Sequence, residues 1–219
     1  MNITPIAYYH TKLKTKFGVP RQSGIVPELQ GMIVFEPQYR NADSLRGIDG
    51  FDYLWLIWDF SLNDKREGEW SPLVRPPLLG GNIHMGVFAT RSPFRPNALG
   101  LSSVKLLEVR KTTEGLALIV AGADLADGTP IYDIKPYVEY ADSHVGVRSG
   151  FVDSNKWKTL DVVFPCELRA LFGNDDFATL YRLLELDPRP QYHNDRSVYM
   201  VCLMVIMMYV LLLQMVYLR

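Results

Sequence analysis

A chain of 219 residues is long enough for one large all-β domain or for a main domain with a small appendage. Its 23 basic and 24 acidic residues give a net charge of −1, which excludes a global positive field, so a polynucleotide partner requires a local basic patch. Two cysteines, Cys166 and Cys202, exclude a disulfide framework, and the amino terminus shows no signal peptide, so we expect a cytoplasmic protein.

Apolar patterning predicts a mainly β fold. The strand from Tyr53 to Phe60 is almost wholly apolar, so we expect it to be buried on both faces, with Trp55 and Trp58 in the core rather than exposed for stacking on bases. The other strands predicted outside the centre of the chain are residues 2–10, 30–36, and a hairpin of 104–110 and 115–121.

A stiff loop occupies the centre of the chain. Apolar residues alternate from Met85 to Ala89 and recur from Leu101 to Leu106, which predicts strand, turn, strand. Two prolines restrict the turn, which carries Arg91 and Arg95. Guanidinium groups hold carboxylates or phosphates through paired hydrogen bonds, so the loop is a candidate site for an anionic or polar ligand. The alternative is a surface turn whose arginines pair with nearby acids.

A row of polar side chains is predicted further along the chain. Asp133, Lys135 and Tyr137 are spaced by two, which places them on one side of a strand. The turn before this strand contains Asp124 and Asp127, whose carboxylates are suited to accept hydrogen bonds from ribose hydroxyls. The row is either a solvated strand face or part of a site.

The carboxyl-terminal part of the chain is predicted to be a separate small unit. The sequence becomes polar and irregular after residue 142, so we place one domain at 1–148 and a second at 149–219. Apolar residues at helical spacing predict helices at 164–171 and 175–185 in the second unit.

Three motifs resemble one known family. They are GVFATRSPFRPNALGLSSVKL at 86–106, PRQ at 20–22 and DLADGTPIYDIKPY at 124–137. They are similar to the signatures of the TrmO family, also called TsaA-like or YaeB-like proteins, and the resemblance covers most of the chain. It implies a β-barrel methyltransferase domain, not a Rossmann fold, with a small α+β carboxyl-terminal subdomain. The sequence fits this, because it has no GxGxxG, P-loop or metal-binding motif.

The resemblance also implies an activity. Members of the family use S-adenosyl-L-methionine to methylate N6 of the adenosine at tRNA position 37, next to the anticodon, where N6-threonylcarbamoyladenosine becomes its N6-methyl derivative. The implied partners are the tRNA anticodon loop and a second copy of the chain in a homodimer, with no metal. The alternative from another class is a non-enzymatic RNA- or nucleotide-binding β-barrel module.

Site residues follow from the matching motifs. The residues implied to bind the cofactor are Pro20, Arg21, Gln22, Ser61, Leu62, Arg91, Leu101, Asp124, Leu125, Ala126 and Asp127. Ser61 and Leu62 differ from the His-Gln of the family, so we expect only backbone contacts there. Asp133 or Tyr137 is the candidate for assisting proton loss from N6. The residues expected to contact the substrate are Arg75, Arg95, Asn97, Lys135 and Arg189.

The end of the chain departs from the family pattern. Residues 201–218 have Gln214 as their one strongly polar side chain. Three interpretations compete: a membrane anchor, for which the stretch is just long enough, a buried strand pair, or an altered reading frame near Met200. We favour an altered end over residues 200–219, so we expect no membrane association unless the apolar tail is genuine. Another frame of the encoding DNA is then expected to give a polar and aromatic strand sequence.

Overall fold

The computed structural model describes residues 2–15, 18–63, 70–164 and 166–187. Strands dominate these residues, so the prediction of a mainly β fold is confirmed. The strands are β1 (Ala7–His10), β2 (Gln30–Phe35), β3 (Tyr53–Asp59), β4 (Leu73–Val74), β5 (Met85–Gly86), β6 (Leu99–Thr112), β7 (Gly115–Ala121) and β8 (Thr129–Pro136). The helices are α1 (Glu139–Asp142), α2 (Phe151–Ser154), α3 (Cys166–Arg169) and α4 (Asn174–Glu185).

Six of the strands form one antiparallel sheet in the order β1-β2-β7-β6-β3-β8, and β8 pairs back with β1, so the sheet is a closed barrel. The register fixes which connections lie together. Tyr9 pairs with Thr129, Gln30 with Ala121 and Asp59 with Leu99, so four chain segments meet at one end of the barrel. We call this end the upper rim, and its segments are 11–29, 59–63, 91–100 and 122–128.

The core follows the two-residue period of the strands. Leu54, Leu56 and Trp58 on β3 point inward and are buried, as predicted for Trp58. The prediction that β3 is buried on both faces is wrong, because Tyr53 is exposed and Trp55 is half-buried on the outer face. A closed sheet of this size has one filled interior, so apolar residues on its outer face are covered only where another segment crosses them.

The strand predicted from Met85 to Ala89 is mostly wrong. Only Met85 and Gly86 are extended, and they pair with β4 in a separate two-stranded sheet. Val87 to Ala89 form a 3-10 turn, because Thr90 donates its backbone N–H and its hydroxyl to the Val87 carbonyl at 3.1 and 2.9 Å. The predicted strand from Leu101 to Leu106 lies within β6 and is confirmed.

The β6–β7 hairpin and α4 also form as predicted, whereas the helix predicted at 164–171 is limited to α3. Leu183 on α4 packs with Leu13, Val26 and Leu29, so this helix packs against the 11–29 segment of the upper rim. The described part of the second unit holds helices and no strand. The boundary at 148 stays a prediction.

The apolar tail and Arg189 lie outside the described residues. Across the described ranges, no helix has the length and apolar character needed to cross a membrane.

Candidate functional site

A pocket of about 440 Å³ lies at the upper rim and extends onto the outer face of β3 and β6. All four rim segments contribute to its wall, which brings together residues that are far apart in the sequence. Nine of the residues predicted to bind a cofactor line it: Pro20, Arg21, Gln22, Ser61, Leu62, Arg91, Leu101, Asp124 and Ala126.

A hydrogen-bonded relay reaches the acidic side of the pocket from the core. The Trp58 indole N–H donates to the Ser102 hydroxyl at 2.9 Å, and that hydroxyl donates to Oδ1 of Asp124 at 2.6 Å. Burial raises the pKa of Asp124 above its usual value, although the hydrogen bond from Ser102 and the charge of Arg91 act in the opposite direction. The relay therefore fixes a largely desolvated carboxyl group at the pocket wall.

Two arginines, Arg21 and Arg91, also line the pocket. Arg91 donates from Nη1 to the side-chain oxygen of Gln22, which joins the central loop to the PRQ segment. Arg21 lies over the ring of Trp157, 3.8 Å from its centroid, and donates from Nη2 to the Asp187 carbonyl at 2.7 Å. Trp157 and Asp187 therefore hold Arg21 in place, and neither is among the described residues that line the pocket.

Gly100 allows the indole of Trp58 to reach the pocket. A Cβ atom at position 100 would lie 2.2 Å from Cε2 of Trp58, which is closer than any real contact. Close approach is the requirement here, since Gly100 lies within β6. Because Gly100 has no side chain, the Trp58 ring can pack directly against the β6 backbone and line the pocket.

Arg95 lines the pocket, and its guanidinium donates hydrogen bonds to backbone carbonyls of its own loop. Its Nε donates to the Ser92 carbonyl at 3.0 Å, and its Nη2 donates to the carbonyls of Val87 and Thr90 at 3.1 and 2.6 Å. These bonds, together with the prolines, fix the backbone on both sides of Phe88. A substrate contact by Arg95 stays a prediction.

Two of the residues expected to bind cofactor do not line the pocket. Leu125 is fully buried in the core. Asp127 faces Lys14, accepts from the Thr11 N–H at 3.0 Å and lies 3.5 Å from His10. Burial acts to raise the pKa of Asp127, but the hydrogen bonds from Lys14 and Thr11 outweigh it and hold the pKa below its usual value. Asp127 ties the 122–128 segment to the start of the chain.

The polar row on β8 lies beside the pocket rather than in it. Asp133 and Lys135 form an ion pair at 2.8 Å, and Lys135 lies opposite Trp55, which lines the pocket. The ring of Tyr137 packs 5.7 Å from that of Trp55. The structure thus places the row on one side of the strand, as expected, and the roles of Asp133 and Tyr137 in proton transfer stay predictions.

Arg75 and Asn97, which are also predicted to contact the substrate, are not among the described residues that line the pocket. Arg75 is exposed and donates from Nε to Nε2 of His84 at 3.0 Å. Asn97 is exposed on the central loop, and its carbonyl accepts from the Leu99 N–H at 2.7 Å.

Sequence reasoning missed several lining residues. Asp59 is only 6% exposed, lines the pocket, and accepts from the Tyr132 hydroxyl at 3.3 Å. Trp55, Trp58 and Phe60 add aromatic surface. One signal pointed to Asp59: it is an acid at the end of an otherwise apolar strand, where β3 reaches the rim. Among the described residues, no group of three or more His, Cys, Asp or Glu is placed to hold a metal ion.

Comparisons with known proteins agree on one family. A family model described as the tRNA-methyltransferase O N-terminal domain matches residues 8–143. The chain is 40% identical to the tRNA (adenine(37)-N6)-methyltransferase of Escherichia coli over 193 residues, which is 85% of this chain and 81% of the relative. It is 45% identical to a putative S-adenosylmethionine-dependent methyltransferase of Pseudomonas aeruginosa over 155 residues, 70% of this chain and 61% of the relative.

A solved structure shows the same likeness. The crystal structure of TrmO from Pseudomonas aeruginosa superposes with a TM-score of 0.71 at 27% identity, covering 93% of this chain and 87% of that one. The match over residues 8–143 includes all six barrel strands apart from Ala7, and every segment of the pocket. The chain therefore belongs to the tRNA-methyltransferase O family.

Proposed function

We propose that this protein is an S-adenosylmethionine-dependent methyltransferase that modifies N6 of the adenine at position 37 of tRNA, with N6-threonylcarbamoyladenosine as the acceptor. The Escherichia coli relative is named for methyl transfer to N6 of adenine 37 of tRNA, and the Pseudomonas aeruginosa relative is named as dependent on S-adenosylmethionine. One observation in the structure carries the proposal: a single pocket is lined by a largely desolvated carboxyl group, a guanidinium and several aromatic rings.

The donor set of the pocket fits S-adenosylmethionine. This molecule combines a carboxylate, two positive centres, a ribose diol and a flat base. Arg91 supplies the donors that a carboxylate needs, and Asp59 and Asp124 supply acceptors for hydroxyl or ammonium groups. The rings of Trp55, Trp58 and Phe60 supply apolar surface, and small-molecule sites typically enclose about 300–1,000 Å³, a range that includes this pocket.

When bound, the cofactor supplies an electrophilic methyl group on its sulfonium sulfur. The protein therefore has to bind, orient and desolvate the reactants rather than activate a nucleophile of its own. Arg91, linked to Gln22, is proposed to anchor the ligand, and the relay from Trp58 through Ser102 keeps Asp124 in a fixed position.

The acceptor nitrogen loses a proton during methyl transfer. We propose Asp133 or Tyr137 as the group that assists, since the ring of Tyr137 packs against Trp55 and Asp133 forms an ion pair with Lys135, which lies opposite Trp55. Both are reached from the outer face of the barrel, which is also the side open to a macromolecular substrate. An anticodon loop is single-stranded, so its bases can leave the stack and enter such a pocket.

We also propose a cytoplasmic homodimer whose subunit contact lies near the pocket. Exposed apolar side chains support this contact, because Leu99 and Leu101 lie at the pocket mouth on the outer face of β6. The division into a barrel domain at 1–148 and a smaller unit at 149–219 belongs to the same proposal. Substrate contacts by Arg75, Arg95, Asn97, Lys135 and Arg189 complete it.

Calorimetric titration with S-adenosylmethionine tests the cofactor site. Replacing Arg91 with Ala is expected to raise the Kd at least about tenfold, because a hydrogen bond to a charged group is lost. Arg46→Ala is the matched control, since Arg46 is exposed, pairs with Asp43 and lies far from the upper rim. Equal affinities for the Arg91→Ala variant and the wild type would contradict the assignment.

Methyl incorporation into tRNA from labelled cofactor tests the reaction itself. Incorporation at position 37 is expected for the wild type. Binding of RNA without any binding of S-adenosylmethionine would instead support the non-enzymatic RNA-binding module.

A further inference from the structure

One long segment of this nearly neutral chain is free of acidic residues. From Trp70 to Leu107 there is no Asp or Glu, whereas the segment contains Arg75, Arg91, Arg95 and Lys105. It leaves β3 and returns to β6 at the upper rim, so it includes one wall of the pocket. Arg91 and Arg95 line the pocket and Arg75 is exposed, so three cations of this segment lie on the wall or the surface, whereas Lys105 lies at the far end of β6, opposite Tyr53.

Three aromatic rings on the same segment are exposed. Phe88 is 75% exposed, Phe94 57% and Trp70 48%. Phe88 and Trp70 stack with their ring centroids 6.3 Å apart at an interplanar angle of 29°. Large rings exposed together mark a contact surface rather than a folding requirement.

The platform of rings is held rigidly next to the pocket. Arg95 bonds to the carbonyls of Val87 and Thr90, which bracket Phe88, and Arg95 itself lines the pocket. Phe88 therefore has a fixed position relative to the pocket mouth. Arg75 directly follows β4, which pairs with β5 in the two-stranded sheet. Its side chain is exposed and is oriented by its hydrogen bond to His84.

We propose that Trp70, Phe88 and Phe94 form a stacking platform for the nucleotides that flank the target adenosine, with Arg75 contacting their phosphates. Single-stranded RNA presents flat bases and a negative backbone together, and this combination matches exposed rings in an acid-free segment. The inference rests on the proposed function, because it assigns the platform to the substrate of the same pocket.

Binding of an anticodon stem–loop RNA with 2-aminopurine in the loop tests the platform without requiring methyl transfer. The full chain is titrated and followed by fluorescence. Phe88→Ala is expected to raise the Kd for this RNA about tenfold, whereas Phe88→Trp retains the affinity, because stacking depends on a ring. The affinity for S-adenosylmethionine stays unchanged in both variants. Tyr140→Ala is the control, since Tyr140 is an exposed aromatic residue on α1 that is not part of the segment.

Several results would overturn the inference. RNA affinity that is unchanged in Phe88→Ala and in the double variant with Trp70→Ala removes the platform. Full affinity in Phe88→Leu shows an apolar contact without stacking. A changed molar mass in light scattering at unchanged RNA affinity assigns the rings to a subunit contact instead. A wild type that does not bind the stem–loop also overturns it.

Failure of the platform and failure of the proposed function give different results. A wild type that binds the RNA but transfers no methyl group contradicts the proposed function and leaves the effect of Phe88→Ala to decide the platform. A wild type that methylates tRNA while Phe88→Ala binds it normally contradicts the platform alone.

Discussion

Replacing Asp124 with Asn separates the binding role of this residue from its role in stability. The amide keeps the shape of the side chain and can still accept the hydrogen bond that the Ser102 hydroxyl donates to Oδ1 at 2.6 Å. It removes the charge, which is costly at this position because burial raises the pKa of Asp124. We therefore expect the variant to fold, to be at least as stable as the wild type at neutral pH, and to bind cofactor weakly.

The pH dependence gives the sign of the stability effect. Because the folded-state pKa of Asp124 is raised, the folded protein holds this proton more tightly than the unfolded chain does. The contribution of Asp124 to the stability of the wild type is therefore full below about pH 4, the usual carboxyl pKa, and is lost as the pH rises through the raised value. Asn does not titrate. In urea unfolding, the free energy of unfolding of the variant relative to that of the wild type is thus expected to increase as the pH rises across this range, and to stay constant above it.

The binding effect can be estimated from the lost hydrogen bond. A hydrogen bond to a charged group contributes about 1.5–3 kcal/mol, which corresponds to an increase in Kd of about 10- to 150-fold. Calorimetric titration with S-adenosylmethionine measures it. A variant that is destabilised at neutral pH but binds the cofactor normally would refute the reasoning.

Asp127→Asn is the matched control on the same segment, and it is expected to show the opposite result. Hydrogen bonds from Lys14 and Thr11 hold the pKa of Asp127 below its usual value despite its burial. Asp127 therefore stabilises the fold above about pH 4, and this contribution is lost as the pH falls through its lowered pKa. The Asn variant is expected to lose stability at neutral pH and to keep its cofactor affinity.

Three further variants test the supports of the pocket. Ser102→Ala leaves the Trp58 N–H and a carboxyl group without their partner and is expected to cost about 1–3 kcal/mol in urea unfolding. Trp157→Ala is expected to weaken cofactor binding by about 0.5–2 kcal/mol through Arg21, with rescue by Phe and no effect in an Arg21→Ala background. Gly100→Ala forces a methyl group against the Trp58 indole. It is expected to lower the free energy of unfolding by about 1–3 kcal/mol and to weaken cofactor binding.

Local patterns were sufficient for elements whose partners are adjacent in sequence. The β6–β7 hairpin and α4 follow from strand alternation, a turn, and a helical apolar face. The pattern at Met85 to Ala89 failed because the hydrogen bonds from Thr90 and Arg95 that curl this stretch do not depend on hydrophobic period. The error at β3 has another origin, since apolar composition does not tell whether a second layer covers the outer face.

The site shows the same limit. The motif resemblance located Arg91, Gln22 and Asp124, which the structure brings to one pocket from three separate segments. It gave no role to Asp59 or to Trp157, which acts on the pocket only through Arg21. Such residues depend on barrel closure and on the long-range contact between Arg21 and Trp157, and neither is encoded in a local pattern.

The convergence of four rim segments has a consequence for the folding of the molecule. The pairings of Tyr9 with Thr129 and of Asp59 with Leu99 both have to form before the pocket has all its walls. No fragment or partly opened barrel retains the site, so ligand binding reports on completion of the whole sheet. A saturating ligand is then expected to slow hydrogen exchange in all six barrel strands by the same factor, set by its concentration relative to Kd, instead of protecting the nearest strands alone.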